Sequence, residues 1–420
     1  MLLGEVFKNI NKKYKNIYFK NIRFNSKECK PNDIFFAIQG NNSDGNKYIY
    51  DAINNGAKII VSGSKSQRSN KKKVLFIYNK NPRKMLSYIS SQFYKLKPKN
   101  IIAVTGTNGK TSIANFYHQI MSLNNKKVAS IGTLGVLSKK FNLETNNTTI
   151  DPVNIHKILQ RLKKLGVDNV IIEASSHGLK QHRLDNINFK TAMFTNLSRD
   201  HLDYHKTIKD YLNSKLILFN KLLNTKGNII FDNIIKETRK LEKISKKRKL
   251  KKYTFGSTKS FIRITNIQKF SNQSKIDCII NRKKYSFKTS LIGKIQIKNL
   301  MFAIIAAYLS KLKIEEILKS IHKIKPIKGR FEKIGNLKNN AKVLLDYAHT
   351  PMALKTVILN IKNEFPLSKI SLVFGCGGDR DKNKRSIMGS IAKKYCDKIY
   401  LTDDNPRTEK PKQIRDQIKK

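Results

Sequence analysis

The sequence is poor in the residues that build disulfide frameworks, zinc sites and membrane spans. It has four scattered cysteines without a C-x-x-C pair, and it has no tryptophan. The longest apolar stretch, Leu300–Leu309, is shorter than the roughly 20 residues that a spanning helix needs. The opening residues MLLGEVFKNINKKYK contain neither an apolar run of signal-peptide length nor a cleavage site. These absences predict a cytoplasmic protein with reduced thiols and no membrane partner.

Acidic residues are also scarce. The sequence has 29 Asp and Glu against 85 Lys and Arg, which gives a formal net charge of +56. Such a charge is typical of nucleic-acid-binding proteins. Here, however, the basic residues are spread from Lys8 to Lys420 and are accompanied by abundant Asn and Ile. We interpret them as a solvated background produced by drift toward AT-rich codons, and we expect no specific nucleic-acid partner.

This interpretation predicts how the protein behaves with DNA. Binding should be weak, independent of base sequence and lost with added salt, because such affinity comes from counterion release. Titration of two labelled duplexes of unrelated sequence, between about 50 and 200 mM salt, measures this directly. A tight, sequence-selective complex at physiological salt would overturn the interpretation.

The length of the chain and a junction-like segment near residue 98 predict three domains. A chain of 420 residues with 39% hydrophobic residues is too long for one ordinary core. The segment Lys95–Asn100, KLKPKN, is typical of a domain junction. We therefore expect a small mixed domain over 1–98, a central domain over 99–325 and a third domain over 326–420. Between Phe255 and Gly293 the sequence changes to short segments in which apolar and polar residues alternate, which predicts a β-hairpin insertion in the central domain.

Strands and helices alternate from Ile101 onward, which predicts an α/β fold. The runs IIAVT, VIIEA (Val170–Ala174) and TAMFT (Thr191–Thr195) are apolar and β-branched, as buried parallel strands are. In the third domain VLLDY, ISLVFGC and KIYLTD alternate with helical stretches. The expected architecture is a central parallel sheet of the P-loop type, followed by a smaller Rossmann-like domain.

The segment AVTGTNGKTS, Ala103–Ser112, places a glycine-rich turn between a strand and a helix. This arrangement aims backbone N–H groups at phosphate oxygens. Lys110 would neutralise phosphate charge and the Thr111 hydroxyl would bind Mg²⁺. The segment departs from the general G-x-x-x-x-G-K-[ST] pattern because Val104 stands in place of the first glycine. The surrounding strand and helix still favour a phosphate loop.

Two further strand ends carry polar side chains that suit the same rim. Ligands in open α/β sheets lie at the carboxyl ends of strands, so Glu173 and His201 should lie near the phosphate loop. A carboxylate and an imidazole there suit a second metal ion or the positioning of a phosphate. The remaining histidines with no such context are interpreted as satisfied or exposed side chains: His156, His177, His205 and His322.

Eight motifs follow one another along nearly the whole chain. They are GTNGKTS, NTT-x-D-P (Asn147–Pro152), E-x-SSHGL-x-Q-x-R, FTNLSRDHLDYH, GR-x-E (Gly329–Glu332), DYAHTP, FGCGGDRD-x-x-KR and DNPRTE. Together they resemble the Mur ligases, and their order is far more specific than any one motif. The resemblance implies the three-domain Mur ligase architecture, with precursor-binding, ATP-binding and amino-acid-binding domains in chain order.

The resemblance also implies roles for individual residues. The ATP site would comprise Gly106, Thr107, Asn108, Gly109, Lys110, Thr111, Ser112, Arg330, Asp346 and His349. The magnesium ligands would be Thr111, Glu173, His201 and Lys215, and the catalytic residues Lys110, Glu173, His201 and Lys215. Lys215 stands where the family carries N6-carboxylysine, whose carbamate oxygens suit Mg²⁺.

The substrate sites follow by the same resemblance. The nucleotide-linked precursor would contact Phe24, Ser26, Asn41, Asn42, Ser43, Asn147, Thr148, Thr149, Ser175, Gln181 and Arg183. The amino acid would contact Arg380, Asp404, Asn405, Pro406 and Arg407. An arginine can grip the second carboxylate of diaminopimelate bidentately, whereas it would repel the ammonium of lysine.

The implied activity is therefore that of the members that add meso-2,6-diaminopimelate to UDP-N-acetylmuramoyl-L-alanyl-D-glutamate. The reaction would use ATP and Mg²⁺, pass through an acyl phosphate, and serve peptidoglycan synthesis, with the enzyme as a monomer. Departures from the family pattern are Gly293–Gln296, Phe231–Asn233 and Asn25–Lys27. The sequence also stops at Lys420, soon after DNPRTE, which predicts a shortened third domain without the Gly and Glu that help to hold diaminopimelate.

Two other functions remain open at this point. Folylpolyglutamate synthase shares the phosphate-loop architecture and couples an amino acid to a carboxylate, but the SSHGL-x-Q-x-R and DNPR motifs argue against it. A decayed ligase could instead bind nucleotide without turnover. The intact Glu173, His201, Lys215 and Arg407 favour the enzyme, while the early end of the sequence favours decay.

Overall fold

The computed structural model describes residues 1–40, 43–64, 74–270, 273–337 and 341–420. Two of the predicted precursor-binding residues, Asn41 and Asn42, lie outside these ranges. The architecture is α/β, with mainly parallel sheets packed against helices, as the sequence predicts. In the part of the chain that is described, no helix is long and apolar enough to cross a membrane.

The first domain is built on a parallel sheet of four described strands in the order β1-β2-β3-β4. The strands are β1 (Ile22–Arg23), β2 (Ile34–Ala37), β3 (Ile59–Ser62) and β4 (Leu75–Tyr78), and the helices are α1 (Leu3–Val6), α2 (Ile49–Asn54) and α3 (Pro82–Phe93). Every residue of β2 and β3 is buried. Ile34 and Phe36 enter one apolar cluster and Phe35 enters another, because alternate side chains of a strand point to opposite faces. Both faces of this sheet are therefore covered.

The central domain contains a sheet of ten described strands, in the order β14-β13-β12-β11-β10-β9-β5-β8-β6-β7. The strands are β5 (Asn100–Thr105), β6 (Val128–Gly132), β7 (Gly135–Ser138), β8 (Asn169–Glu173), β9 (Phe189–Phe194), β10 (Leu223–Asp232), β11 (Lys251–Phe255), β12 (Ile262–Lys269), β13 (Ser274–Ile280) and β14 (Lys283–Thr289). The predicted hairpin insertion corresponds to β12–β14, which pair antiparallel and extend the same sheet. Because β5 pairs in parallel with both β8 and β9, the loops after these three strands lie on one rim.

Helices cover both faces of this sheet. They are α4 (Lys110–Leu123), α5 (Pro152–Lys164), α6 (Ser176–Lys180), α7 (Leu202–His205), α8 (Ile208–Ile217), α9 (Thr238–Lys247), α10 (Lys294–Leu309) and α11 (Ile314–Ser320). Helix α10 is buried at most positions and packs beside α4 in one apolar cluster. Helix α5 packs into a second cluster, which lies on the other face. Both faces of the central sheet are thus covered, so a ligand site is expected at the carboxyl ends of its strands.

The third domain begins with an antiparallel pair that the sequence did not predict. Strands β15 (Glu332–Asn336) and β16 (Lys342–Leu345) pair antiparallel, whereas β17 (Ser371–Phe374) and β18 (Lys398–Leu401) pair in parallel. The helices are α12 (Pro351–Glu364), α13 (Lys384–Tyr395) and α14 (Pro411–Lys419). Their apolar faces meet one side of the β17–β18 pair in a small core, while Val373 and Tyr400 on its other side are exposed.

Candidate active site

The phosphate loop joins β5 to α4 through two glycines with positive φ. Gly106 has φ +148°, and a Cβ there would lie 1.8 Å from Thr195 Oγ1, so only glycine fits. Gly109, with φ +91°, precedes the first residue of α4. The side chain of Asn196, after β9, accepts a hydrogen bond from the Asn108 N–H at 3.0 Å. The loop is therefore held in shape by the neighbouring strand end.

Two lysines converge on the carbonyl oxygen of Gly106. Lys110 Nζ donates to it at 2.9 Å and Lys215 Nζ donates to it at 2.8 Å. Lys215 is 1% exposed, and its Nζ lies 4.2 Å from the ring centroid of Tyr211. Burial, reinforced by the charge of Lys110, lowers the pKa of Lys215 well below its ordinary value. Two ammonium groups that share one carbonyl would repel each other, so an anion beside them would be stabilising.

Glu173, at the end of β8, faces the first turn of α4. Its Oε2 accepts from the Thr111 hydroxyl at 2.9 Å and its Oε1 accepts from the Thr133 N–H at 2.9 Å. Burial raises the pKa of Glu173, while the charge of Lys110 and these hydrogen bonds oppose that shift. A Cβ on Gly132 would lie 2.1 Å from Oε1, so this glycine makes room for the carboxylate.

A cavity of about 10 Å³ lies beside this pair, lined by Thr111, Glu173 and Gly132 among others. It has room for about one water molecule. Hydroxyl and carboxylate oxygens suit Mg²⁺, which takes one or two protein carboxylates and completes its shell with water and substrate phosphates. No group of three His, Cys, Asp or Glu side chains poised to hold a metal occurs in the described ranges. The oxygens present fit a magnesium ion that shares its shell with a phosphate.

Asp200 connects the central domain to the third domain at this rim. Its Oδ1 accepts from the His201 N–H at 2.9 Å, and its Oδ2 lies 3.4 Å from His201 Nε2 and 3.8 Å from His349 Nε2. Burial raises the pKa of Asp200, but His349 and His201 outweigh it and hold the pKa well below the ordinary value. Arg199 Nε lies 3.4 Å from Asp381 Oδ2 across the same boundary. The third domain thus contacts the rim through adjacent residues.

A cluster of aromatic and imidazole rings lies behind His201. The His177 ring centroid is 4.1 Å from that of Tyr204 and 4.9 Å from that of His201. His205 is fully buried, with Nε2 2.9 Å from Ser176 Oγ. Burial lowers the pKa of His177, His201 and His205 to about 4 each. These rings are therefore neutral at pH 7.

The neutral histidines predict that acid destabilises the fold. Because the folded pKa of His205 is about 4, the unfolded chain binds more protons, and the free energy of unfolding falls as pH drops from about 6.5 to 4. His205 alone contributes on the order of 3 kcal/mol of this loss. Urea unfolding of the wild type and of His205→Asn at several pH values tests this, with exposed His322→Gln as the control. An unchanged pH dependence in His205→Asn would contradict the prediction.

Part of the predicted precursor site lies against Glu173. The Thr149 hydroxyl donates to the Glu173 carbonyl at 2.8 Å, and Thr148 Oγ1 lies 3.1 Å from Thr133 Oγ1. Arg183 donates to the Thr149 carbonyl at 2.7 Å. Three further residues of the predicted set lie in the central domain. Ser175 caps α6, the buried Gln181 accepts a hydrogen bond from Arg183, and Asn147 is exposed. In the first domain Phe24 and Ser43 are exposed and Ser26 is buried.

Third-domain residues fall into two groups. Arg330 lies over the Tyr347 ring at 4.4 Å, and Asp346 Oδ2 accepts from the Phe331 N–H at 2.7 Å. The second group is two loops in contact, because Arg407 Nη1 donates to the Gly378 carbonyl at 2.6 Å. These loops carry the predicted Arg380, Asp404, Asn405 and Pro406, of which the first three are exposed.

Four residues at the site were missed by the sequence reasoning. Thr133 and Asn196 bond to Glu173 and the phosphate loop, and Asp200 bridges two histidines. Asn299 of α10 lies against the loop, since a Cβ on Gly109 would be 2.7 Å from its Oδ1. Thr133 and Asn196 could have been found from the sequence because they follow strands closely, and Asp200 because it directly precedes His201.

Comparison with known proteins covers nearly the whole chain. Family models match in three parts: the Mur ligase family catalytic domain at 18–94, the Mur ligase middle domain at 104–307, and the Mur ligase glutamate ligase domain at 329–420. The UDP-N-acetylmuramoyl-L-alanyl-D-glutamate–2,6-diaminopimelate ligase of Rickettsia prowazekii is 40% identical over 98% of this chain and 85% of its own length. The Rhizobium meliloti protein of that name is 38% identical over 94% and 81%.

Solved structures agree in fold. A structure of a UDP-N-acetylmuramoyl-L-alanyl-D-glutamate–2,6-diaminopimelate ligase matches with a TM-score of 0.76 and 28% identity, covering 100% of this chain and 85% of that one. A MurF ligase from Thermotoga maritima in complex with ADP matches at 0.64 with 18% identity, covering 96% and 87%. A folylpolyglutamate synthase from Mycobacterium tuberculosis matches at 0.62 with 15% identity over 75% and 78%. The last two similarities indicate a shared fold alone.

Proposed function

This chain belongs to the Mur ligase family, and from that premise we propose that it is an ATP-dependent ligase of peptidoglycan synthesis. It would join meso-2,6-diaminopimelate to the D-glutamate of UDP-N-acetylmuramoyl-L-alanyl-D-glutamate. The observation that carries the proposal is 40% identity, over 98% of this chain, to a ligase of that name. The phosphate loop and the DNPR loop support it, because such a reaction needs both a nucleotide site and a site for a dicarboxylic amino acid.

The first half-reaction is phosphoryl transfer. The γ-carboxylate of the precursor's D-glutamate attacks the γ-phosphorus of ATP, a carboxylate–phosphorus bond forms, and the bond to the β–γ bridging oxygen breaks with release of ADP. The loop from Gly106 to Ser112 would hold the phosphates. Lys110, which donates to backbone carbonyls of this loop, would turn toward the γ-phosphate and stabilise its charge.

The second half-reaction forms the amide. The amine of diaminopimelate attacks the carbonyl carbon of the acyl phosphate, a tetrahedral intermediate forms, and the carbon–oxygen bond to phosphate breaks. The amine loses a proton and inorganic phosphate leaves. Arg407 and Arg380 would orient the amino acid through its distal carboxylate, since a guanidinium pairs with a carboxylate bidentately.

Mg²⁺ would be held by Thr111 and Glu173, together with His201 and Lys215. When bound, the ion would neutralise negative charge on the phosphates. The support from this chain is the Thr111–Glu173 pair beside a water-sized cavity. The pair leaves carboxylate and hydroxyl oxygens available to a hard cation.

Lys215 would act as N6-carboxylysine. The Nζ adds to the carbon of CO₂ and loses a proton, so an amine becomes an anionic carbamate. The support comes from the surroundings of Lys215. Its side chain is 1% exposed and shares the Gly106 carbonyl with Lys110, and both burial and the neighbouring charge disfavour an ammonium there. A carbamate there would offset the charge of Lys110 and offer oxygens to magnesium.

The precursor would lie across the first two domains. Its uridine and sugar end would contact Phe24, Ser26, Asn41, Asn42 and Ser43. Its peptide end would contact Asn147, Thr148, Thr149, Ser175, Gln181 and Arg183. The support is that Thr149 and Arg183 are bonded to each other, and Thr149 to Glu173, so this group adjoins the proposed metal site.

A phosphate-release assay tests the proposal. Purified protein, ATP, Mg²⁺ and the UDP-linked dipeptide precursor are incubated with diaminopimelate, lysine or no amino acid, and the product mass is measured. Phosphate release that depends on diaminopimelate, with a product larger by one residue, is expected. Nucleotide binding without turnover would favour the decayed binding protein. In a parallel incubation with a folate and glutamate, glutamate addition to the folate would favour folylpolyglutamate synthase.

A further inference from the structure

We propose that Arg385 is a positioning residue that holds the two loops of the amino-acid pocket against each other. The inference rests on the proposed function and deepens it. The first loop, Gly375–Asp381, carries Arg380, and the second loop, Asp404–Glu409, carries Arg407. Arg385 itself lies in the first turn of α13, outside both loops.

Burial and pairing distinguish Arg385 from the basic residues on the surface. Its side chain is 0% exposed. Nη1 donates to Glu409 Oε2 at 2.8 Å and Nη2 donates to Glu409 Oε1 at 2.9 Å, which is a two-pronged guanidinium–carboxylate pair. The hydrogen bond from Arg385 is the main reason that the pKa of Glu409 falls to about 2. The pair therefore persists across the physiological pH range.

The same pair reaches the first loop at two points. Arg385 Nη2 donates to the Gly377 carbonyl at 3.1 Å, and Glu409 Oε1 accepts from the Asp379 N–H at 2.7 Å. Arg385 Nη1 also donates to Gln417 Oε1 of α14 at 2.6 Å. One buried ion pair thus joins both loops and the last helix.

The loops touch so closely that a small shift would move the pocket. A Cβ on Gly378 would lie 1.8 Å from the Pro406 carbonyl oxygen. Arg407, exposed and with φ +51°, is tied to the first loop through its bond to the Gly378 carbonyl. The loops are also joined by hydrogen bonds from Thr408 to Asp379 and from the Gly378 N–H to the Asn405 carbonyl. The Arg385–Glu409 pair differs from these in linking a buried charge to both loops, so we expect it to set the relative placement of Arg380 and Arg407.

The test compares three single variants and one double variant of the full chain with the wild type. Arg385→Lys keeps the charge but loses the two-pronged pair, and Glu409→Gln keeps the shape but loses the charge. Both should raise the KM for diaminopimelate about tenfold or more, because neither variant can form the two-pronged buried pair that joins the loops. Their KM values for ATP and for the UDP-linked precursor should stay within about twofold, since those sites lie elsewhere. Arg415→Lys, at a partly exposed pair with Asp403, is the control and should change none of the three.

A purely structural role would give a different result. It would raise all three KM values together, or lower kcat and the melting temperature with no change in the KM for diaminopimelate, and either outcome would overturn the inference. If Arg385→Lys does not fold, Glu409→Gln decides between the two outcomes. The double variant should lose no more than the worse single variant, because both substitutions break one pair. A wild type without diaminopimelate-dependent phosphate release would instead reject the proposed function.

Discussion

Replacement of Lys215 by alanine is expected to reduce ligation by at least about 10²–10³-fold, the scale seen when a group that stabilises developing charge is removed. Lys215 is buried against the Gly106 carbonyl and beside Lys110, so its loss removes the proposed carbamate from the phosphate site. A short added carboxylic acid should restore part of the activity by entering the vacated space. Phosphate release with and without the acid measures both effects.

Lys221→Ala is a matched control for this variant. Lys221 is exposed and lies six residues further along the chain, so its loss should leave activity unchanged. Full activity of Lys215→Ala would remove the basis for the carbamate. Rescue by a short amine rather than by an acid would show that the ammonium is the working form.

Arg407→Ala is expected to raise the KM for diaminopimelate steeply and to leave the KM for ATP unchanged. Arg407 is exposed, so we use the magnitude of charge-assisted hydrogen bonds, whose loss costs about 1.5–3 kcal/mol, or roughly 10-fold to 150-fold. Arg407→Lys should recover only part of this, because an ammonium lacks the planar fork of a guanidinium. Kinetics with diaminopimelate and lysine as alternative substrates measure the selectivity. Equal use of lysine by the wild type would refute the assignment of Arg407.

Much of the central fold could be predicted because its strands are locally distinctive. IIAVT, VIIEA and TAMFT correspond to the buried strands β5, β8 and β9, whose apolar runs need no distant partner to be noticed. The three-domain Mur ligase architecture implied by the resemblance is confirmed. The antiparallel β15–β16 pair was not predicted, since strand pairing is decided by contacts outside each strand.

The candidate site also contains contacts that the sequence could predict and contacts that it could not. The Thr111–Glu173 contact follows from strand ends meeting on one rim, so the sequence could predict that the two lie together. Arg385 ends the FGCGGDRD-x-x-KR motif, but its burial and its pairing with Glu409 could not be predicted, because a buried arginine looks the same in sequence as a solvated one among 85 lysines and arginines. Asp200 shows the same limit, as its partner His349 lies in another domain. Burial and cross-domain pairing appear only in three dimensions.

His349 approaches Asp200, and Asp381 approaches Arg199, so the third domain and the central domain meet beside the phosphate loop. An acyl phosphate is a mixed anhydride that bulk water would hydrolyse, and an active site shielded from bulk water protects such a species. Release of products would require these two contacts, Asp200–His349 and Arg199–Asp381, to separate. Turnover would then be paced by the opening of the two domains rather than by either bond-forming step, as in other enzymes that close over their substrates.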